Sequence, residues 1–235
     1  MDIKGVVFDK DGTLFDFNAT WGAWCRQFLQ ELADAPDHFA KLARVVGYVP
    51  ETETFLANSP VVADTPDMIA RRLLPHISGW DHAGLIGHMN TLTQSVKQVP
   101  TVPLIPVLEA LQARQLTLGL VTNDAEAPAR THLRQAGILD RFTFIAGSDS
   151  GHGAKPDPGP LLAFAKAAGL APEQVAMVGD STHDLMAARA ADMVSIGITG
   201  DGRNTAALTK WADVLFADIG AIPGWIAGFD QNEAR

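Results

Sequence analysis

Cysteine, long apolar runs and a surplus of positive charge are all scarce in this chain of 235 residues, and each shortage closes a class of function. Cys25 is the only cysteine, so no intrachain disulfide can form, and a reducing cytoplasm is the expected setting. No apolar stretch approaches the ~20 residues that a membrane-spanning helix needs. The opening MDIKGVVFDKDG is too briefly apolar to read as a signal peptide. Lys and Arg number 18 against 27 Asp and Glu, a formal net charge of −9, which argues against a nucleic-acid backbone or an anionic membrane as partner. A small anionic substrate stays open, because a bound divalent cation can make one site locally positive. The histidines at 38, 76, 82, 88, 132, 152 and 183 show no metal-ligand spacing, so solvated or capping roles are expected of them. Internal repeats and low-complexity segments are absent.

What is present is an alternation. Ile3 to Phe8 reads as a short buried strand that ends at Asp9 and the turn residue Gly12. From about Asp16 to Gln98 the apolar residues recur at helical spacing, as in Trp21, Trp24, Cys25, Phe28, Leu29 and Leu32, with prolines at 36, 50, 60, 66 and 75 between stretches. Four or five short helices are expected there. The run VPTVPLIP (99–106) reads as a stiff connector, since proline fixes φ, and a helix is expected over 107–114. Apolar strands then alternate with helices of about ten residues. Strands are expected at 116–121, 142–146, 174–179, 193–198 and 213–217, and helices at 126–136, 161–168 and 183–190. The pattern predicts an α/β fold, a parallel sheet covered on both faces, with an all-helical insertion after its first strand.

Ligands of such sheets bind beyond the carboxyl ends of the strands. Four strand ends here deliver Asp9 and Asp11; Thr122, Asn123 and Asp124; Ser148 and Asp149, with Lys155 following; and Asp180 and Asp184. Each group alone has a plainer explanation in turn or capping chemistry. Two carboxylate clusters at neighbouring strand ends repel unless a cation lies between them, and hard oxygen donors suit Mg²⁺. A carboxylate nucleophile, a cation, a lysine and a hydroxyl together make a phosphoryl-transfer site.

The ordered set DKDGT, LVTND, Lys155 and GDSTHD resembles the four motifs of the haloacid dehalogenase superfamily, and within it the phosphoglycolate phosphatase-like hydrolases. The resemblance covers roughly residues 1–15 and 100–225. It implies a Rossmann-like parallel core, residues 1–15 and 100–235, with an inserted all-α cap of the C1 type at 16–99 that carries specificity and closes over the site. It further implies that Asp9 attacks phosphorus and ligates Mg²⁺, and that Asp11 is acid and then base, with its backbone carbonyl a metal ligand. Thr122 and the backbone near Asn123 would hold phosphate oxygens, Lys155 would steady nucleophile and phosphate, Asp180 would ligate the metal, and Asp184 would support it directly or through water. The implied activity is Mg²⁺-dependent hydrolysis of a small phosphorylated metabolite through an aspartyl-phosphate, by a cytoplasmic monomer or homodimer.

Rival readings are a phosphomutase of the same superfamily, an inactive phosphate-binding protein, a dehalogenase, a P-type ATPase and a receiver domain. The last three fit poorly: a dehalogenase would not need Asp11, a P-type ATPase would carry DKTGT and membrane spans, and receivers are shorter and lack the insertion. Lys10 departs from the apolar residue common between the two aspartates, and is expected to bear on substrate rather than on chemistry. Asp16 is expected near the first hinge. Trp21, Trp24 and Phe28 are expected to pack the insertion, Lys41, Arg44, Arg71 and Arg72 to be solvated rather than to meet a substrate carboxylate, and His183 is left open to contact with the site.

Overall fold

The computed structural model describes residues 2–56, 58–200, 202 and 204–233. Six strands form one sheet in which every pairing is parallel: β1 (Gly5–Phe8), β4 (Thr117–Val121), β5 (Phe144–Ala146), β6 (Val175–Gly179), β7 (Val194–Ile198) and β8 (Val214–Phe216). Their spatial order is β5-β4-β1-β6-β7-β8. The chain winds outward from β1 to one edge and then crosses to wind toward the other, so the direction reverses between β1 and β6.

The strands are apolar throughout because both faces are covered, as parallel crossovers require. Val6 and Phe8 face a cluster with Leu118, Leu120, Ala176 and Val178, roofed by α6 (Leu104–Gln112), α7 (Glu126–Gln135) and α11 (Ile222–Glu233). Val7 points the other way, onto Val175, Met177 and Phe164, under α8 (Gly159–Ala168) and α9 (Thr182–Ala190). A short helix, α10 (Thr205–Leu208), lies between β7 and β8.

The insertion holds α1 (Phe17–Leu32), α2 (Pro36–Val46), α3 (Pro60–Ala63), α4 (Pro66–Leu73) and α5 (His82–Gln94). Their starts follow the usual rules: proline opens α2, α3 and α4, and Asp16, Ser59, Thr65 and Asp81 cap α1, α3, α4 and α5 with side-chain oxygens. These helices enclose a core of their own around Trp24, Phe28, Leu42, Leu73 and Leu85. Two chain passages join insertion to sheet, and they run side by side. Asp16 N–H donates to Val99 O (2.7 Å) and Thr101 N–H to Leu14 O (3.0 Å).

Three points of the sequence reading need correction. The insertion is not wholly helical, since Tyr48–Val49 (β2) and Thr54–Phe55 (β3) pair antiparallel. The segment 99–106 is not all connector: α6 starts at Leu104, with Pro106 in its first turn, where its missing N–H costs nothing. Helix α11 went unforeseen, because Pro223, Gly224 and Gly228 interrupt the spacing of Ile219, Ile222 and Ile226, which are all buried. Asp16 lies at the first passage into the insertion, as expected, and caps α1 by accepting from Ala19 N–H (2.8 Å).

Candidate active site

The site begins with the register of β1 and β6. Phe8 pairs with Val178, and Asp9 N–H donates to Val178 O (2.8 Å), so the two strands deliver Asp9 and Asp180 side by side at the reversal point of the sheet. Carboxylate oxygens of Asp9, Asp180 and Asp184 all lie within 4.8 Å of one another. Two glycines permit this crowding. A Cβ on Gly12, whose φ is +80°, would fall 2.0 Å from the Asp180 carboxylate, and one on Gly179 would fall 2.3 Å from Asp184. Ser181, not Asp180, caps α9: its hydroxyl accepts from Asp184 N–H, while Asp184 Oδ2 accepts from Ser181 N–H (3.0 Å) and Oγ (2.7 Å). That leaves Asp184 Oδ1 pointing inward.

Lys155 Nζ reaches across from the loop after β5. It donates to Asp9 Oδ1 (2.6 Å) and Val121 O (2.8 Å) and pairs with Asp184 Oδ1 (2.6 Å). Burial alone would lower its pKa, but Asp184 and Asp9 raise it above the usual lysine value, so it stays an ammonium. Burial pushes Asp9 up to about 7, against the pull of Lys155 and with the push of Asp184 and Asp11. Asp180 is driven well above the ordinary carboxylate range by burial, then by Asp9 and Asp184. Ionised together, the three carboxylates would leave about two negative charges uncompensated by the one ammonium, and a bound cation would offset them. All the donors are hard oxygens, as Mg²⁺ prefers, and one from each carboxylate converges within 4.8 Å of the others. The cluster therefore fits a divalent metal.

Asp11 faces a second group. Trp21 Nε1–H of α1 donates to its Oδ1 (2.8 Å), and Lys10 Nζ lies 2.6 Å from its Oδ2. Burial pushes Asp11 up to about 6, opposed by Lys10 and Trp21 and helped by Asp124. Lys10 is fully buried and also meets Asp124 Oδ2 (3.0 Å) and His132 Nδ1 (3.4 Å), with the Trp21 ring centroid 5.0 Å away. Since an ammonium only donates, His132 Nδ1 must accept, and Nε2–H donates to Thr93 O (2.7 Å) on α5. Burial and then Lys10 hold His132 down at about 4, so it is neutral. His132 is neither solvated nor a helix cap, contrary to expectation, and Lys10 is in direct contact with the candidate residue Asp11. Nothing local in the sequence marked either set of contacts.

Thr122 is buried at the end of β4, its hydroxyl accepting from Asp124 N–H (3.2 Å). The Asn123 amide is committed to backbone: it donates to Lys155 O (2.8 Å) and Ala63 O (2.7 Å) and accepts from Lys155 N–H (3.0 Å). Asn123 thus sets the Lys155 loop and touches the insertion at the end of α3. His183 Nδ1 lies 3.2 Å from the same Ala63 O.

A cavity separates the sheet edge from the insertion. On one side it is lined by Asp9, Asp11, Thr122, Asn123, Lys155 and Asp184, and on the other by Phe17, Trp21, Trp24, Val62, Ile69, Met89, Asn90 and Thr93. Trp21 and Trp24 therefore face the site as well as packing the insertion, whereas Phe28 packs only. Asp180 opens instead onto an adjoining cavity with Gly12, Asp16 and Phe17. Lys155 is the only lysine or arginine among the described lining residues of the main cavity. Lys41, Arg44, Arg71 and Arg72 are exposed and outside it; Arg71 pairs with Asp67 (2.8 Å) and Arg72 with Asp64 (3.2 Å).

A family model for haloacid dehalogenase-like hydrolases matches residues 3–192. A phosphoglycolate phosphatase of Neisseria meningitidis is 31% identical over 230 residues, covering 96% of this chain and 90% of its own. One of Rhodospirillum rubrum is 30% identical over 236 residues, covering 97% and 92%. The crystal structure of a predicted phosphoglycolate phosphatase from Haemophilus somnus superposes with a TM-score of 0.70 at 22% identity, covering 94% of this chain and 97% of that one.

Proposed function

The chain belongs to the haloacid dehalogenase-like hydrolases, and from that membership we propose that it is a Mg²⁺-dependent phosphomonoester hydrolase working through an aspartyl-phosphate on Asp9. The observation that carries the proposal is the meeting of Asp9, Asp180 and Asp184 oxygens within 4.8 Å, with Lys155 on Asp9 Oδ1. Asp9, Asp180 and Asp184 would hold the metal, with the carbonyl of Asp11; when bound, the metal supplies positive charge for carboxylate and phosphate oxygens. An Asp9 oxygen attacks phosphorus and the bond to the ester oxygen breaks, that oxygen taking a proton from Asp11. Asp11 then removes a proton from water as the water oxygen attacks the phosphoryl group, which frees Asp9 and restores the acid. Lys155 holds Asp9 in line and offsets charge on the phosphoryl oxygens. Thr122 and the backbone at Asn123 receive those oxygens. Residues 16–99 act as the cap that shuts water out, with Trp21 and the Ala63 carbonyl as its points of contact with the site.

Two substrate classes divide on one feature. The relatives named phosphoglycolate phosphatase make 2-phosphoglycolate the first substrate to test. The wall from the insertion offers no lysine or arginine among its described residues to a substrate carboxylate, and it is apolar at Trp24, Val62, Ile69 and Met89. That wall favours esters whose organic part is uncharged. A phosphate-release screen over small phosphorylated metabolites tests both. Release from phosphomonoesters with Mg²⁺ supports hydrolysis; isomerised sugar phosphate without free phosphate would make the protein a mutase instead. A preference for carboxylate-bearing esters would set aside the second class.

A further inference from the structure

We propose that Lys10 is a positioning residue that fixes the carboxyl of Asp11 for its proton transfers. The inference rests on the reading of Asp11 as acid and base. It starts from a cost. An ammonium with no exposed surface is tolerated only when its donors are met. Lys10 has three N–H donors and three acceptors within reach: Asp11 Oδ2 at 2.6 Å, Asp124 Oδ2 at 3.0 Å and His132 Nδ1 at 3.4 Å. Two of these acceptors lie outside the motif, one after β4 and one on α7, and so tie the ammonium to the core independently of Asp11. The shortest contact then falls on Asp11. An anchored donor of this kind fixes the rotamer of the carboxyl it grips.

The other grip on Asp11 has a different origin. Trp21 Nε1–H reaches Oδ1 from α1, in the insertion, and is available only while the insertion sits over the site. Lys10 belongs to the same loop as Asp11, so its contact survives any displacement of the insertion. Both oxygens keep a free lone pair beside these contacts, since a carboxylate offers about four sites. The acid is therefore aimed rather than blocked. An apolar residue at position 10 could fill the space, but could not hold the carboxyl.

The test separates aiming from mere support of the fold. A general acid matters when the leaving oxygen is a poor leaving group and matters little when it departs as a stabilised anion. The second-order rate constant kcat/KM reports that step. It is measured for an alkyl phosphate and for p-nitrophenyl phosphate in wild type, Lys10→Met and Asp11→Asn. The expected result for Lys10→Met is a loss of about 10–100-fold on the alkyl ester, a part of what general acid catalysis contributes, with the aryl ester nearly unchanged. Equal losses on both esters, or none, would overturn the proposal, because a structural ion pair predicts no dependence on the leaving group. If Lys10→Met fails to fold in a thermal melt, Lys10→Gln, which keeps part of the stem and two N–H donors without the charge, carries the same comparison. Asp11→Asn guards the premise. Should it show no leaving-group dependence, the reading of Asp11 falls, and the proposal with it.

Discussion

The sheet edge and the insertion meet across one cavity and are built on opposite principles. The edge buries charge: Asp9, Lys10, Lys155 and Asp184 are each less than a tenth exposed. The insertion buries hydrocarbon and presents much of it to the same space. Buried charges are tolerated only when paired or metal-bound, so the edge is rigid and its geometry is over-determined by strand register, a helix cap and two glycines. Trp21 and Ala63 tie the wall to the edge through Asp11 and Asn123; its apolar part, Trp24, Val62, Ile69 and Met89, carries no such constraint. On the proposed function, the first region would carry the reaction and the second would select the substrate.

The largest expected effect lies in the edge. Lys155→Met should lower kcat by roughly 10²–10³-fold, the cost of removing one preorganised charge from such a site, with KM for the ester changed far less. Steady-state kinetics check this, and a loss confined to KM would place Lys155 in binding alone. Next is the metal. Saturating Mg²⁺ should raise the melting temperature by roughly 5–10 °C, from about 2.7 kcal/mol at a hundredfold excess over Kd. Asp180→Asn should abolish most of that rise, and calorimetry of both proteins with and without Mg²⁺ reads it without any substrate. The smallest effect belongs to the wall. Val62→Ala should shift KM for an apolar ester by about 10-fold and leave kcat intact, as loss of two methyl groups from one side of an apolar wall does. A collapse of kcat in that variant would break the division between the regions.

Much of this was legible beforehand, and the boundary has physical causes. The strands could be read because continuous apolar runs ending in Asp or Asn mark parallel strands whose carboxyl ends carry function. The residues at those ends, Asp9, Asp180, Asp184 and Lys155, do come together, because register in a two-faced sheet leaves little choice. The Lys10 contacts were not legible. They join β1, β4 and α7 with no sequence spacing to announce them, and a lysine between two aspartates reads equally well as a solvated turn. The Trp21 contact with Asp11 was hidden for a related reason: one face of α1 serves both its own core and the site. The amide of Asn123 looked free for phosphate, yet its partners are backbone groups of Ala63 and Lys155, which no side-chain pattern records.

One measurement bears most directly on the chemistry assigned to the edge. Turnover of a labelled phosphomonoester with Mg²⁺ is stopped in acid, and peptides are mapped for an acid-stable, base-labile phosphoryl group. The account predicts one such group, carried on Asp9 and missing from Asp9→Asn. Label on any other residue, or brisk turnover by Asp9→Asn, would contradict it.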